Sequence, residues 1–171
     1  MEYVCGGQFY GDADITAYMD TWFGSKGVEI VFACGGGIYT SAAEAAVKTG
    51  GKIIGVDLDQ SATIDEYEDG LTVTSAMKGL QVTIDNVLSA IKGGTWDAYA
   101  GEMENLGLES ANPEENYVQL PETTTQWDDN FTVDDYRDLV QRMYDGELTV
   151  SGDTTSFPET EIQATDYGSI K

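Results

Sequence analysis

The sequence predicts an α/β fold: a Rossmann-like, mostly parallel sheet with helices on both faces. Two observations predict it. Apolar runs of strand length at 28–34, 52–56 and 71–75 alternate with segments of helical spacing, the order of βαβ units. The clearest unit, VEIVFACGGGIYTSAAEAAVKTGGKIIGVDLDQ at 28–60, reads strand, glycine turn, alanine-rich helix, strand, acid. That order makes a crevice at the carboxyl ends of parallel strands, where open α/β sheets take their ligands. About five parallel strands are expected.

The elements follow in order. Residues 2–5 read as a strand, with the loop Gly6-Gly7-Gln8-Phe9-Tyr10-Gly11 at its carboxyl end. Asp12 or Asp14 caps a helix to about Phe23, which the glycines of 24–27 break. Strand 28–34, helix 39–48 and strand 52–57 come next, then a short acidic helix or loop near 64–69. A fourth strand covers 71–75. Over 77–91, Leu80, Ile84, Val87, Leu88 and Ile91 recur at helical spacing, and Gly93-Gly94 stops the helix. The pattern then weakens: a short helix at 98–103, a strand at 117–120 closed by Pro121, a helix at 131–144 and a last short strand at 148–150. The expected organisation is a ligand-binding lobe over 1–150 and a loosely packed tail over 151–171, where Gly152, Pro158 and few apolar anchors occur.

Charge excludes some partners. Eight basic against 31 acidic residues give a formal charge of −23, which repels nucleic acid and anionic membrane. The acids fall largely in 64–70, 102–115 and 128–138, which read as solvated loops and helix faces. There is no histidine, the commonest general base and transition-metal ligand. Ser41 therefore has no histidine partner, no catalytic constellation emerges, and the chain reads as a non-enzyme with neither metal nor cofactor. No apolar run of about 18 residues exists, so no transmembrane helix is expected, and no charged-then-apolar leader opens the sequence. Cys5 and Cys34, without a C-x-x-C pair, read as two small buried residues.

The crevice residues admit several readings. Gly35, Gly36 and Gly37 let a ligand approach the backbone beside a helix start. A dinucleotide site is one reading, but its G-x-G-x-x-G fingerprint breaks at Thr40. One lobe of a two-lobed solute-binding protein is another. A plain tight turn, with Asp57 as a helix cap, is the third. Asp57 is placed to accept hydrogen bonds from hydroxyls such as those of a ribose. Tyr39 and Phe9 are the aromatic candidates for stacking a flat ring, or for plugging the sheet edge. Tyr39 is preferred because it begins a helix beside the glycine turn. Asp59 reads as a cap or turn residue, and Trp22, Trp96 and Trp127 as packing.

Four segments, GQFYGDADITAYMDTW at 7–22, VFACGGGIYTSAAEAA at 31–46, GGKIIGVDLDQS at 50–61 and TSAMKGLQVTIDNVL at 74–88, carry a resemblance, joined by TQWDDNFTVDDY and EIQATDYGSIK near the end. Together they resemble the basic membrane protein family, whose best-known members are purine nucleoside receptor lipoproteins of bacterial ABC importers. The match runs in order over nearly the whole chain, and the GVDLDQ to TSAMK pairing is its most specific part. The resemblance implies the carboxyl-terminal lobe of a type I periplasmic-binding-protein fold. Residues 1–5 correspond to the first strand of that second lobe, so the first lobe and its share of the site are expected to be absent.

The resemblance also implies a function. It makes the chain part of a solute-binding receptor for purine nucleosides. Its partners in the intact receptor are an ABC permease and the missing lobe, and full-length members are extracellular, membrane-anchored lipoproteins. Asp57 and Lys78 take polar ligand atoms, Lys78 following the fourth strand, and they are also able to pair with each other. Gly36, Gly37 and Tyr39 complete the expected site. A solvated lysine at a helix start is the plainer reading of Lys78. The alternative functions are a small-molecule sensor domain of an α/β regulatory protein and, further off, a nucleotide-modifying enzyme. No basic helical segment is present to serve the sensor as a DNA-binding headpiece.

Overall fold

The computed structural model describes residues 1–153, 155–156 and 159–170; Pro158, named above as a marker of the tail, lies outside them. In chain order the elements are β1 (Glu2–Cys5), α1 (Ala13–Ser25), β2 (Ile30–Phe32), α2 (Tyr39–Ala46), β3 (Lys52–Asp57), α3 (Ser61–Ile64), β4 (Thr72–Lys78), α4 (Leu80–Gly93), β5 (Val118–Gln119), α5 (Val133–Tyr144) and β6 (Thr165–Ser169). Two 3₁₀ turns cover Trp96–Ala98 and Pro113–Glu115. The fold is α/β with a mostly parallel sheet flanked by helices. The chain divides into two compact units. The first holds Met1–Ala76, Thr123–Gln126 and Asp153–Lys171, the second Met77–Glu122 and Trp127–Gly152. No helix among the described residues is long and apolar enough to cross a membrane.

In the first unit, β2 lies parallel to β3 with Ile30 opposite Lys52 and Phe32 opposite Ile54, and β4 follows β3 in the same sheet. β1 stands apart from it, in a two-stranded parallel sheet with β6. The Ile170 N–H donates to the Cys5 carbonyl at 2.9 Å and extends that ladder. The strand expected at 148–150 does not form. The Leu148 amide instead donates to the Arg142 carbonyl at 3.4 Å, closing the end of α5 rather than a ladder. The last strand lies further on, in TDYGS at 165–169, where few apolar side chains signal it. Its anchor is Tyr167, whose ring lies edge-on to Trp22 at 6.3 Å and under the Lys26 ammonium at 3.6 Å.

One interface organises the helices of the first unit. Ala42, Ala43, Ala45 and Ala46 of α2 are all buried, and their small side chains let α1 pack close. Ile15, Met19, Trp22 and Phe23 of α1 are the large side chains of that contact, continuous with Val31, Ile53, Ile64 and Leu71. Polar bonds fix its register: the Ser41 hydroxyl donates to the Asp12 carbonyl at 3.0 Å and the Thr16 hydroxyl to Ser41 Oγ at 3.0 Å. As expected, Asp12 caps α1, its Oδ1 accepting from the N–H groups of Asp14 and Ile15, each at 3.0 Å.

In the second unit, β4 outlasts its expected end. Met77 and Lys78 pair antiparallel with Gln119 and Val118 of β5, so α4 starts at Leu80 rather than at 77. Leu80, Ile84, Leu88 and Ile91, the apolar stripe of α4, are exposed. Trp127 packs as expected, stacked on Tyr136 of α5 with ring centroids 5.6 Å apart, and the Tyr136 hydroxyl accepts from the Leu120 N–H at 3.0 Å. Burial pushes that phenol above its ordinary range, and the Leu120 bond opposes the shift. Trp96 lies in the first 3₁₀ turn and is exposed.

Replacing the cap of α1 tests this architecture. Asp12→Ala leaves the Asp14 and Ile15 amides without their side-chain acceptor. It should lower stability by about 1–2 kcal/mol. Asp12→Asn keeps a cap oxygen and should lose much less. The midpoint of urea unfolding, at unchanged slope, reads both.

Candidate functional site

The loops at the carboxyl ends of β1, β2 and β3 are tied together within the first unit, and one side chain does most of the tying. Gln60 Oε1 accepts from the Val56 N–H at 2.9 Å, and Nε2 donates to the Gly36 carbonyl at 3.2 Å. The Gln60 N–H donates to Ser75 Oγ of β4 at 3.1 Å. A single residue thus links the glycine turn after β2, the end of β3 and the interior of β4. The strut is tight: a Cβ built on Gly55 would stand 2.6 Å from Ser75 Oγ and 3.0 Å from Gln60, so β3 needs glycine there. Sequence reasoning missed Gln60. Its only signal is that it follows the acid pair in GVDLDQ.

The glycine turn joins β1 as well. The Gly37 N–H donates to the Phe9 carbonyl at 2.8 Å, and Tyr10 and Gly37 form an isolated parallel bridge. Gly37 is therefore committed to the neighbouring loop. Gly36 carries φ +51° and packs against the Phe9 backbone, a conformation that glycine adopts without strain. Tyr39, the first residue of α2, is half-buried and packs against the core. Phe9 is 77% exposed, and a Cβ built on Gly35 would stand 3.5 Å from its ring.

Asp57 is the last residue of β3. It is the one non-glycine residue with positive φ among the described residues, at 71°. The Leu58 N–H donates to the Val56 carbonyl at 2.9 Å, the hydrogen-bond pattern of a γ-turn centred on Asp57. Backbone strain of this kind collects at ligand sites more often than elsewhere. The strand therefore ends in a turn that carries the Asp57 carboxylate, one residue from the Val56 amide that Gln60 holds. Asp59 is the turn residue that the sequence implies. Its Oδ1 accepts from the Ser61 N–H at 3.0 Å and its Oδ2 from the Thr124 hydroxyl at 2.8 Å. Burial raises its carboxyl, but the bonds from Ser61 and Thr124 outweigh burial and leave it below the ordinary aspartate range.

Lys78 also departs from its expected place. It does not follow the fourth strand; it ends that strand, in ladder register with Val118, and it belongs to the second unit, whereas Gly36, Gly37, Tyr39 and Asp57 belong to the first. The cysteines need a correction too. Both Cys5 and Cys34 are free and exposed, not buried. Cys5 is the last residue of β1 and Cys34 lies in the loop after β2, outside the helix-covered core, which is why small size alone was a poor guide. Among the described residues no group of three or more acids or cysteines is gathered as a metal site would require. Compared with models of known protein families and with curated proteins, the chain matches none.

Two outcomes test the strut and the turn. Gln60→Ala removes an acceptor from Val56 and a donor from Gly36 and should lower stability by about 1–3 kcal/mol. Gln60→Glu keeps the acceptor for Val56 but sets a carboxylate oxygen against the Gly36 carbonyl, so it too should fall below the native chain in chemical denaturation. Asp59 sets a pH window. Its lowered pKa means its bonds stabilise the fold above the ordinary aspartate value of 3.8 and lose that effect as pH falls through the lowered value. The stability gap between the native chain and Asp59→Asn, measured by thermal melting, should therefore be widest near neutrality and shrink below pH 3.8.

Proposed function

We propose that the crevice of the first unit is a nucleoside-contacting half-site, and that the chain is the carboxyl-terminal lobe of a solute-binding receptor of an ABC importer. The observation that carries this reading is the position of Asp57. A carboxylate stands on a positive-φ turn at the carboxyl end of β3, and Gln60 couples that strand end to the Gly36 carbonyl. An open α/β sheet uses this edge for ligands. A carboxylate there has only acceptor oxygens, which suits the vicinal hydroxyls of a ribose and repels a phosphate. The charge of −23 reinforces the preference for an uncharged nucleoside over a nucleotide.

The base needs a flat apolar contact. Phe9 supplies one, because its exposed ring flanks the glycine turn and has no part in the core. Tyr39 borders the same turn with its ring partly used by packing, so it serves as a wall rather than as the main platform. Lys78 is the ammonium donor that the family resemblance assigns. Transport and the partnership with a permease rest on that resemblance alone.

A half-site binds weakly, because only one wall of the ligand is covered. Titration of guanosine or inosine into the isotope-labelled chain should move the amides of Phe9, Gly36, Asp57 and Gln60 with millimolar affinity. Asp57→Gly is the cleanest way to remove the carboxylate. Glycine accepts the positive φ, so stability should change by less than about 1 kcal/mol. Nucleoside affinity should drop by about tenfold, the loss of one or two hydrogen bonds from ligand hydroxyls. Unchanged shifts in Asp57→Gly, or shifts centred elsewhere, would refute this assignment.

A further inference from the structure

We infer that Gln8 is a positioning residue: it holds Phe9 as a preformed platform for the base, and so sets the preference of the half-site for a nucleoside over its bare sugar. This role rests on the nucleoside reading of the crevice. Phe9 is 77% exposed and Tyr10 64%, and neither ring belongs to the buried core. Packing against the core therefore does not fix where the Phe9 ring stands. Its place is set by the backbone of the loop at 6–11, and the hydrogen bonds of that loop show what holds it.

Two sets of bonds flank Phe9. Its own carbonyl accepts from the Gly37 N–H at 2.8 Å, which ties the loop to the glycine turn at one point. The carboxamide of the half-buried Gln8 supplies the other set. Its Nε2 donates to the Tyr10 carbonyl at 2.9 Å and to Asp12 Oδ2 at 2.6 Å. A primary amide nitrogen carries two N–H groups, and these two acceptors take both. The bond to the carboxylate is charge-assisted and belongs to the stronger kind. A side chain from one side of Phe9 thus closes onto the chain on its other side, and Phe9 lies within the loop that those bonds close.

The far post of this brace is rigid. Asp12 Oδ1 caps α1 through the Asp14 and Ile15 amides, and the Asp12 carbonyl accepts from the Thr16 N–H at 2.9 Å and from the Ser41 hydroxyl at 3.0 Å. The Asp12 side chain therefore offers Oδ2 to Gln8 from a fixed place, and turning away would uncap the helix. Between the two, Gly11 presses on the start of α2. A Cβ built there would stand 2.6 Å from Ser41 Oγ and 2.9 Å from the Ser41 amide nitrogen. The loop is pinned on both sides of Phe9 and at its carbonyl.

This arrangement has a consequence for binding. Ordering a mobile side chain costs binding free energy, so a ring already held in place gives more affinity than a free one. The base is the part of a nucleoside that needs a ring, whereas the ribose turns to Asp57 on β3. Loosening Gln8 weakens the first contact and spares the second.

Two variants cut the brace, one at each end. Gln8→Met keeps the length of the side chain and removes both donors. Asp12→Asn keeps a cap oxygen for α1 but sets an N–H donor against Gln8; whichever way the Gln8 amide then turns, one of its two bonds is lost. Hydrogen exchange at the Gly37 amide reads the bond to Phe9. Exchange at the amide of Ile53, buried in β3 and bonded to the Leu71 carbonyl, controls for global stability. Relative to Ile53, Gly37 should exchange about tenfold faster in each variant. In NMR titrations, guanosine should bind each variant about fivefold more weakly than the native chain, while methyl riboside, followed at the Asp57 amide, keeps its affinity.

A Gly37 rate that only follows Ile53 in both variants would overturn the brace. Equal losses of guanosine and methyl riboside would mean that Gln8 serves the crevice as a whole and not the platform, and would overturn the inference as well. A native chain that binds no guanosine would refute the nucleoside reading and, with it, the part of Gln8 in base preference. The Gly37 rate would then decide by itself whether Gln8 holds the loop.

Discussion

The geometry of the crevice depends on Gln60 more than on any other residue. Parallel strands bring their following loops to one edge of the sheet, but that alone does not fix the loops. Here one amide side chain accepts from β3 and donates to the turn after β2, while its own backbone N–H reaches β4. The amide group suits this work because it donates and accepts at once. A carboxylate in the same place would leave the Gly36 carbonyl facing another acceptor. Asp57 is held in its strained conformation because both strand ends beside it are pinned, and strained conformers persist only where their surroundings over-determine them.

The sequence made β3 and its neighbours legible for physical reasons. Lys52–Asp57 and the alanine-rich helix α2 carry strong periodic patterns, and their bounds in the structure fall within a residue or two of the expected ones. Asp12, one of the two acids that signal the start of α1, caps it, and Thr132 caps α5 through a reciprocal bond pattern with Asp135. β6 was not legible. Its residues TDYGS have little strand propensity, and it exists because its backbone pairs with a strand far away in sequence. The apolar spacing of α4 gave its helical state correctly but not its burial, because periodicity reports a face and never what covers it.

The candidate site was partly legible for similar reasons. Asp57 stood out because an acid at the end of an apolar strand is conspicuous. Its positive φ was invisible, since aspartate visits that region only at occasional single positions that sequence does not mark. The preference for Tyr39 rested on sequence proximity to the glycine turn. Proximity does not report exposure, and the structure divides the two rings: Tyr39 is packed on the core and Phe9 is open. Gln60 escaped because a polar residue after a strand looks like any other loop residue until its partners are known.

The division of strands into two sheets unites these observations. β1 carries the loop that brings Phe9 and Tyr10 to the glycine turn, yet it shares no sheet with β2 among the described residues. The position of Phe9 relative to Asp57 therefore depends on how firmly the gap between β1 and β2 is held. Hydrogen bonds between Gly37 and Phe9 fix one end, and the packing of Ile15 and Met19 fixes one face. Preorganisation of the crevice is set by the bonds that hold its walls as much as by the groups that line it.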